Sequence, residues 1–171
     1  NRSYRTTAKV TEFCNEVLKL RGVSRLAQGY VERPGQPVVV KACNSEEEQD
    51  REITEWFKAI TTGSSLIVVP EQSSAMIRNR MSRLLAAIDP IAEQKCRVMT
   101  PSEARGLEFD HVIVVNVDDK NYPNTERFGA ALYIACTRAT ATLTCTYLQT
   151  ARTTASNWLP IERRFSEKYM V

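Results

Sequence analysis

Over residues 6–20 the apolar positions Ala8, Val10, Phe13, Val17, Leu18 and Leu20 recur near helical spacing, and Gly22 follows the last of them. The spacing predicts an amphipathic helix with a glycine C-cap. The stretch 29–36, with two Gly and a Pro, reads as a loop. After it the pattern changes to short unbroken apolar runs bounded by turn residues: 37–43, 65–69, 96–99, 112–117 and 141–148. Runs of this length, rich in β-branched residues, predict buried strands. Helical patterns separate them. One follows Ser45-Glu46-Glu47-Glu48, which reads as a capping box, and directs Ile53, Trp56, Phe57 and Ile60 inward. A second runs from Ser73 to Ile88 with Met76, Ile77, Met81, Leu84, Leu85 and Ile88 on its apolar side, and Pro90 ends it. A third spans Ala130 to Ala139. Within 151–171 an amphipathic pattern carrying Trp158, Leu159, Ile161, Phe165 and Tyr169 predicts a terminal helix with Pro160 in its first turn.

Strands alternating with helices predict an α/β fold, a parallel sheet covered on both faces. In such a sheet the loops at the C-terminal ends of the strands are the default ligand site. The 171 residues suffice for one such domain and not for two.

Composition narrows the chemistry. A net charge of +3 is too small for bulk attraction to nucleic acid, so any such contact must come from a local patch. Five single cysteines, without a C-x-x-C pair, fit a reducing, cytoplasmic compartment. His111 stands without a second histidine or a paired cysteine nearby, so no metal site is expected. No apolar stretch approaches the roughly 20 residues of a membrane span, and no membrane partner is expected.

Three segments concentrate polar chemistry at element ends. Ser3-Tyr4-Arg5-Thr6 places an aromatic face beside a guanidinium before the first helix. Thr100-Pro101-Ser102-Glu103-Ala104-Arg105-Gly106-Leu107-Glu108-Phe109-Asp110 runs directly into a buried strand. The third, Leu132-Tyr133-Ile134-Ala135-Cys136-Thr137-Arg138-Ala139, brings an arginine to a point where a helix turns back to a strand. Asp118-Asp119 also follows an apolar strand, as a metal-binding acidic pair can, but lies between the second and third segments.

In this order the three segments resemble motifs IV, V and VI of the UvrD/Rep-like superfamily 1 helicases, from about Ser3 to Tyr147. The resemblance implies a RecA-like parallel sheet sandwiched by helices, the second motor domain of a P-loop NTPase-like machine without its own P-loop. No G-x-x-x-x-G-K-[ST] occurs in the chain, so the whole is expected to be the C-terminal fragment of a longer protein. ATP with Mg2+ would then bind against an N-terminal RecA-like partner domain, which holds the Mg2+. The resemblance further implies that Tyr4 stacks on adenine, that Arg5 and Arg138 act as arginine fingers, and that Gly106 and Glu108 face the nucleotide. Thr100, Ser102 and Arg105 would contact single-stranded or duplex DNA. Ser102 stands where the family usually has His, and Arg105 where it usually has Lys. The wording of the second segment and the short spacings look closest to the helicase-IV-like, HelD-type branch. That branch implies an alternative role, an ATPase that binds and recycles RNA polymerase, beside the leading one, an ATP-dependent DNA helicase or translocase. The isolated fragment is not expected to be active.

Overall fold

The computed structural model describes residues 6–23 and 33–161. Their elements, in chain order, are α1 (Ala8–Leu20), β1 (Val39–Cys43), α2 (Glu46–Ala59), β2 (Ser65–Val68), α3 (Ser74–Ile88), α4 (Ala92–Lys95), β3 (Cys96–Met99), α5 (Pro101–Ala104), β4 (Phe109–Val114), α6 (Glu126–Cys136) and β5 (Ala139–Leu148). The five strands form one sheet in the order β1-β5-β4-β2-β3, and every neighbouring pair is parallel.

Alternation along each strand divides the apolar runs between two cores. Leu66 and Val68 of β2, Val112 and Val114 of β4, and Leu143 and Cys145 of β5 pack with Val10, Phe13 and Val17 of α1 and Leu132 and Ala135 of α6. Their neighbours Ile67, Val69, Ile113 and Val115 face the other way, against Ile53 of α2 and Ile77, Met81 and Leu85 of α3. This is the mixed α/β, RecA-like arrangement of a parallel sheet flanked by helices. Helix α1 runs antiparallel to α6: Arg21, just past its C-terminus, pairs with Glu126 at the start of α6, while the charge of Arg138 beyond the end of α6 reaches Cys14 in the middle of α1. The first turn of α1 therefore lies at the same end of the sheet as Arg138.

Several boundaries differ from the sequence expectation for identifiable reasons. Strand β4 starts at Phe109 rather than Val112, because Phe109 already pairs with Ala139 and its N–H donates to Arg138 O at 2.9 Å. Helix α6 starts four residues early and stops at Cys136, since Ala139 is already in β5. At α2 the Ser45 hydroxyl accepts from Glu48 N at 3.1 Å, but Glu48 returns its carboxylate to Asn44 N, at 2.7 Å, instead of to Ser45. Met76, expected inside, is 70% exposed at the start of α3.

The terminal helix expected within 151–171 does not begin in residues 151–161, which form bends, turns and an isolated bridge between Ala155 and Asp118. Tertiary bonds outweigh the helical pattern there. The Ser156 hydroxyl donates to Tyr122 O at 2.7 Å, the Trp158 indole donates to Pro123 O at 3.0 Å, and Trp158 and Leu159 are buried against the α1/α6 core. The remainder of that expectation, residues 162–171, lies outside the described residues.

Candidate functional site

The segment 100–108 leaves the C-terminal end of β3 and enters the N-terminal end of β4, with β2 lying between the two strands. It must therefore cross the sheet, whose strands of four to ten residues rise about 3.3 Å per residue. The residues that the sequence grouped as one ligand-facing loop are thus divided between opposite edges. Thr100 and Ser102 lie at the C-terminal edge. Gly106 and Glu108 lead into the N-terminal edge, where Arg138 stands immediately before β5. The expectation that the C-terminal edge gathers the whole site is corrected: β3 and β4 run parallel, so the segment joining them carries half of the motif to the opposite edge.

At the N-terminal edge three bonds hold the Arg138 guanidinium. Nε donates to Ile134 O at 3.1 Å, Nη1 to Leu107 O at 2.9 Å and Nη2 to Thr137 Oγ1 at 3.1 Å. Ile134 offers one of the last-turn carbonyls of α6, a place where a basic side chain is favoured. Partial burial pulls the guanidinium below its ordinary pKa; the nearby charge of Glu108 opposes this and that of Arg105 adds to it. Arg105, Glu108 and Arg138 therefore share one electrostatic neighbourhood. Gly106 has φ +80°, and a Cβ there would meet nothing within 4 Å. Its glycine is thus explained by the left-handed backbone that turns the chain toward Leu107. Leu107 is 39% exposed.

Asp110 staples the same edge. Its Oδ2 accepts from Ser64 N at 2.9 Å and from Ser64 Oγ at 3.1 Å, and its own N–H donates to Ser64 Oγ at 3.1 Å. The Ser64 amide, first, and then the Ser64 hydroxyl hold this carboxyl below the usual range.

At the C-terminal edge the polar groups satisfy one another. Thr100, which is buried, accepts from Glu103 N at 3.3 Å, and Glu103 Oε2 accepts from Thr100 N at 3.0 Å, closing a capping box around α5. Glu103 is also gripped by Arg78 at 2.7 and 2.9 Å. The Thr100 amide chiefly, then Arg78, keep its carboxyl below the usual range. The Ser102 side chain is exposed, but its amide donates to Glu71 Oε1 at 2.7 Å. Thr100 and Ser102 are thus brought together, away from Gly106, Glu108 and Arg138. Tyr4 and Arg5 lie outside the described residues.

Other sequence candidates have structural explanations. Asp118 is buried, and its Oδ1 accepts from Lys120 N and Asn121 N at 3.1 and 2.9 Å, so it caps a turn. Burial raises its pKa. His111 Nε2 lies 3.0 Å from Thr62 O, which can only accept, so the neutral ring carries its proton on Nε2. Its Nδ1 lies 2.8 Å from the Thr142 hydroxyl. All five cysteines are free and buried; burial pushes Cys43 and Cys96 up to about 11, which leaves them poor nucleophiles. Among the described residues no group of His, Cys, Asp and Glu could hold a metal ion, and no helix is long and apolar enough to cross a membrane.

Sequence reasoning missed Thr137, the Leu107 carbonyl and the Ser64–Asp110 staple. Thr137 carried a signal, since it adjoins Arg138 at a helix end where a hydroxyl can bond both the last turn and its neighbour. Ser64 carried none, because only the sheet order brings it to Asp110.

The model of the UvrD-like helicase C-terminal domain matches residues 76–150, a range that includes the crossing segment, Thr137 and Arg138. No curated protein matches the chain. Among solved structures, the C-terminal domain of a possible DNA helicase from Lactobacillus plantarum WCFS1 is similar over 91% of this chain and 91% of that one, with a TM-score of 0.66 and 23% identity. The chain therefore carries a RecA-like fold and, over residues 76–150, is similar to the UvrD-like helicase C-terminal domain.

Proposed function

We propose that this chain is the C-terminal motor domain of an ATP-dependent DNA helicase or translocase, and that the N-terminal edge of its sheet completes a nucleotide site on a partner RecA-like domain. The observation that carries this reading is the docked state of Arg138. A guanidinium has five N–H groups, and three are engaged. One N–H on each terminal nitrogen is left, the donor set that matches two oxygens of a phosphoryl group.

In this reading the residues of the edge fit a nucleoside triphosphate. Arg138 would hold the terminal phosphate, Glu108 would accept from ribose hydroxyls, and Gly106 leaves open space beside its backbone. Arg5 would be the second finger and Tyr4 the adenine platform; the first turn of α1, just after them in sequence, lies at this edge. When bound, ATP with Mg2+ supplies a transferable γ-phosphoryl group whose oxygens carry the charge that a guanidinium stabilises, an effect worth on the order of 10³–10⁵ in rate. Docking on three protein oxygens in advance reduces the reorganisation that Arg138 needs when it meets an anion.

The nucleic-acid half of the proposal assigns Ser102 and Arg105, both exposed, to contacts with the DNA backbone, which fix position without reading sequence. Thr100 would act there by shaping α5 through its cap.

The test is steady-state hydrolysis by the full-length protein. Arg138→Ala should lower kcat for ATP by on the order of 10³-fold or more while a fluorescent ATP analogue still binds. Wild-type turnover would remove the basis of the assignment.

A further inference from the structure

We propose that Thr137 is a positioning residue for Arg138: its hydroxyl fixes the plane of the guanidinium so that the two unengaged N–H groups meet a tetrahedral oxyanion together. The proposal rests on the reading of Arg138 given above and adds a residue to it.

The bonding pattern leaves Thr137 one way to act. Its hydroxyl has a single proton, and that proton goes to Ile134 O at 2.9 Å. Only the lone pairs of Oγ1 remain for Arg138 Nη2, 3.1 Å away. Ile134 O accepts at the same time from Arg138 Nε at 3.1 Å. Threonine hydroxyl, helix carbonyl and guanidinium thus close a small ring at the end of α6. The third anchor, Leu107 O on Nη1 at 2.9 Å, comes from the crossing segment.

The backbone places this ring reproducibly. Thr137 is the C-cap of α6, with φ −73° and ψ −3°, and its N–H donates to Tyr133 O at 3.0 Å. The next residue but one is already paired in β5. Helix end and strand start therefore hold both ends of the Thr137-Arg138 dipeptide.

Among the described residues Nη2 has no other anchor. Without the hydroxyl, the guanidinium keeps Nε and Nη1 tied to two different elements and can tilt about that pair. A planar fork gains specificity only when both donors are aimed together, and small misplacements of a catalytic group cost up to about 100-fold in rate.

The experiment measures kcat and KM for ATP in the full-length protein for Thr137→Val, which keeps the shape, Thr137→Ser, which keeps the hydroxyl, and Arg138→Ala. Thr137→Val is expected to lower kcat about 10-fold to 100-fold, with KM within about twofold and the thermal midpoint little changed. Thr137→Ser should return kcat to within about threefold of wild type, and Thr137→Val in the Arg138→Ala background should cost nothing further. Should Thr137→Val fail to fold, Thr137→Ala replaces it with the same expectation. Wild-type kcat in the hydroxyl-less variant, or failure of Thr137→Ser to rescue, overturns the positioning role while an impaired Arg138→Ala leaves the wider reading in place. An unimpaired Arg138→Ala overturns that reading instead.

Discussion

The two edges of the sheet handle their polar groups in opposite ways. At the C-terminal edge Thr100, Glu103, Arg78, Ser102 and Glu71 bond mainly to one another, and Arg78 is held on a carboxylate. At the N-terminal edge Arg138 is held on neutral oxygens, which leaves its charge available to an incoming anion. The contrast separates a residue that is ordered from one that is neutralised. Both arginines are fixed, but among the described residues Arg138 has no bonded counter-ion.

The sharpest way to break this comparison is to change the geometry of one edge while keeping its charge. Arg138→Lys retains the cation and removes the fork; turnover by the full-length protein is expected to fall by on the order of 10²-fold or more. Ser102→Ala at the other edge should leave DNA-free turnover within about twofold, so equal losses in the two variants would abolish the distinction between the edges.

Next in size is the staple under the N-terminal edge. Gly63 has φ +95°, and a Cβ there would stand 2.8 Å from Asp110 Oδ2. Gly63→Ala should therefore lower stability by about 1–3 kcal/mol, read as a shift in the urea midpoint. Smaller is the cap at the C-terminal edge, where Thr100→Ala should cost about 1 kcal/mol by the same measurement. A loss well above the Gly63→Ala value would mean that the capping box holds more than α5.

The smallest effect is a pH dependence. Asp110 and Glu103 are both held below their ordinary values in the folded state. A depressed carboxyl contributes stability that is present above its unfolded pKa of about 4 and is lost as pH falls through the folded value. The urea midpoint should thus decline on acidification below about pH 4, and Asp110→Asn should flatten the decline. An unchanged slope would mean that the Ser64 bonds do not favour the ionised form of Asp110.

Much of the fold was legible because burial on both faces leaves continuous apolar runs. Cys96–Met99 has the bounds read from the sequence, and Ser65–Val68 and Ser74–Ile88 differ from them by one residue. Phe109-Asp110-His111 was not recognisable as strand, since its polar residues bond to partners from β5 and the loop before β2, which no local pattern reveals. The residues of the candidate site were picked out in the sequence as polar chemistry at element ends. Their distribution was missed although parallel pairing implies it: because β3 and β4 run the same way, nine residues must carry Thr100 and Glu108 to opposite edges, whereas the motif reads along the chain as one loop. Helical periodicity also failed at Trp158 and Leu159, whose apolar spacing serves a buried turn in the described residues.

Hydrogen exchange on the full-length protein with a non-hydrolysable ATP analogue tests the central claim most directly. Nucleotide at the N-terminal edge should slow the amides of residues 105–109 and 137–139 and leave 71–78 and 100–104 unchanged. Protection confined to 71–78 and 100–104 would place the nucleotide at the opposite edge and contradict the account.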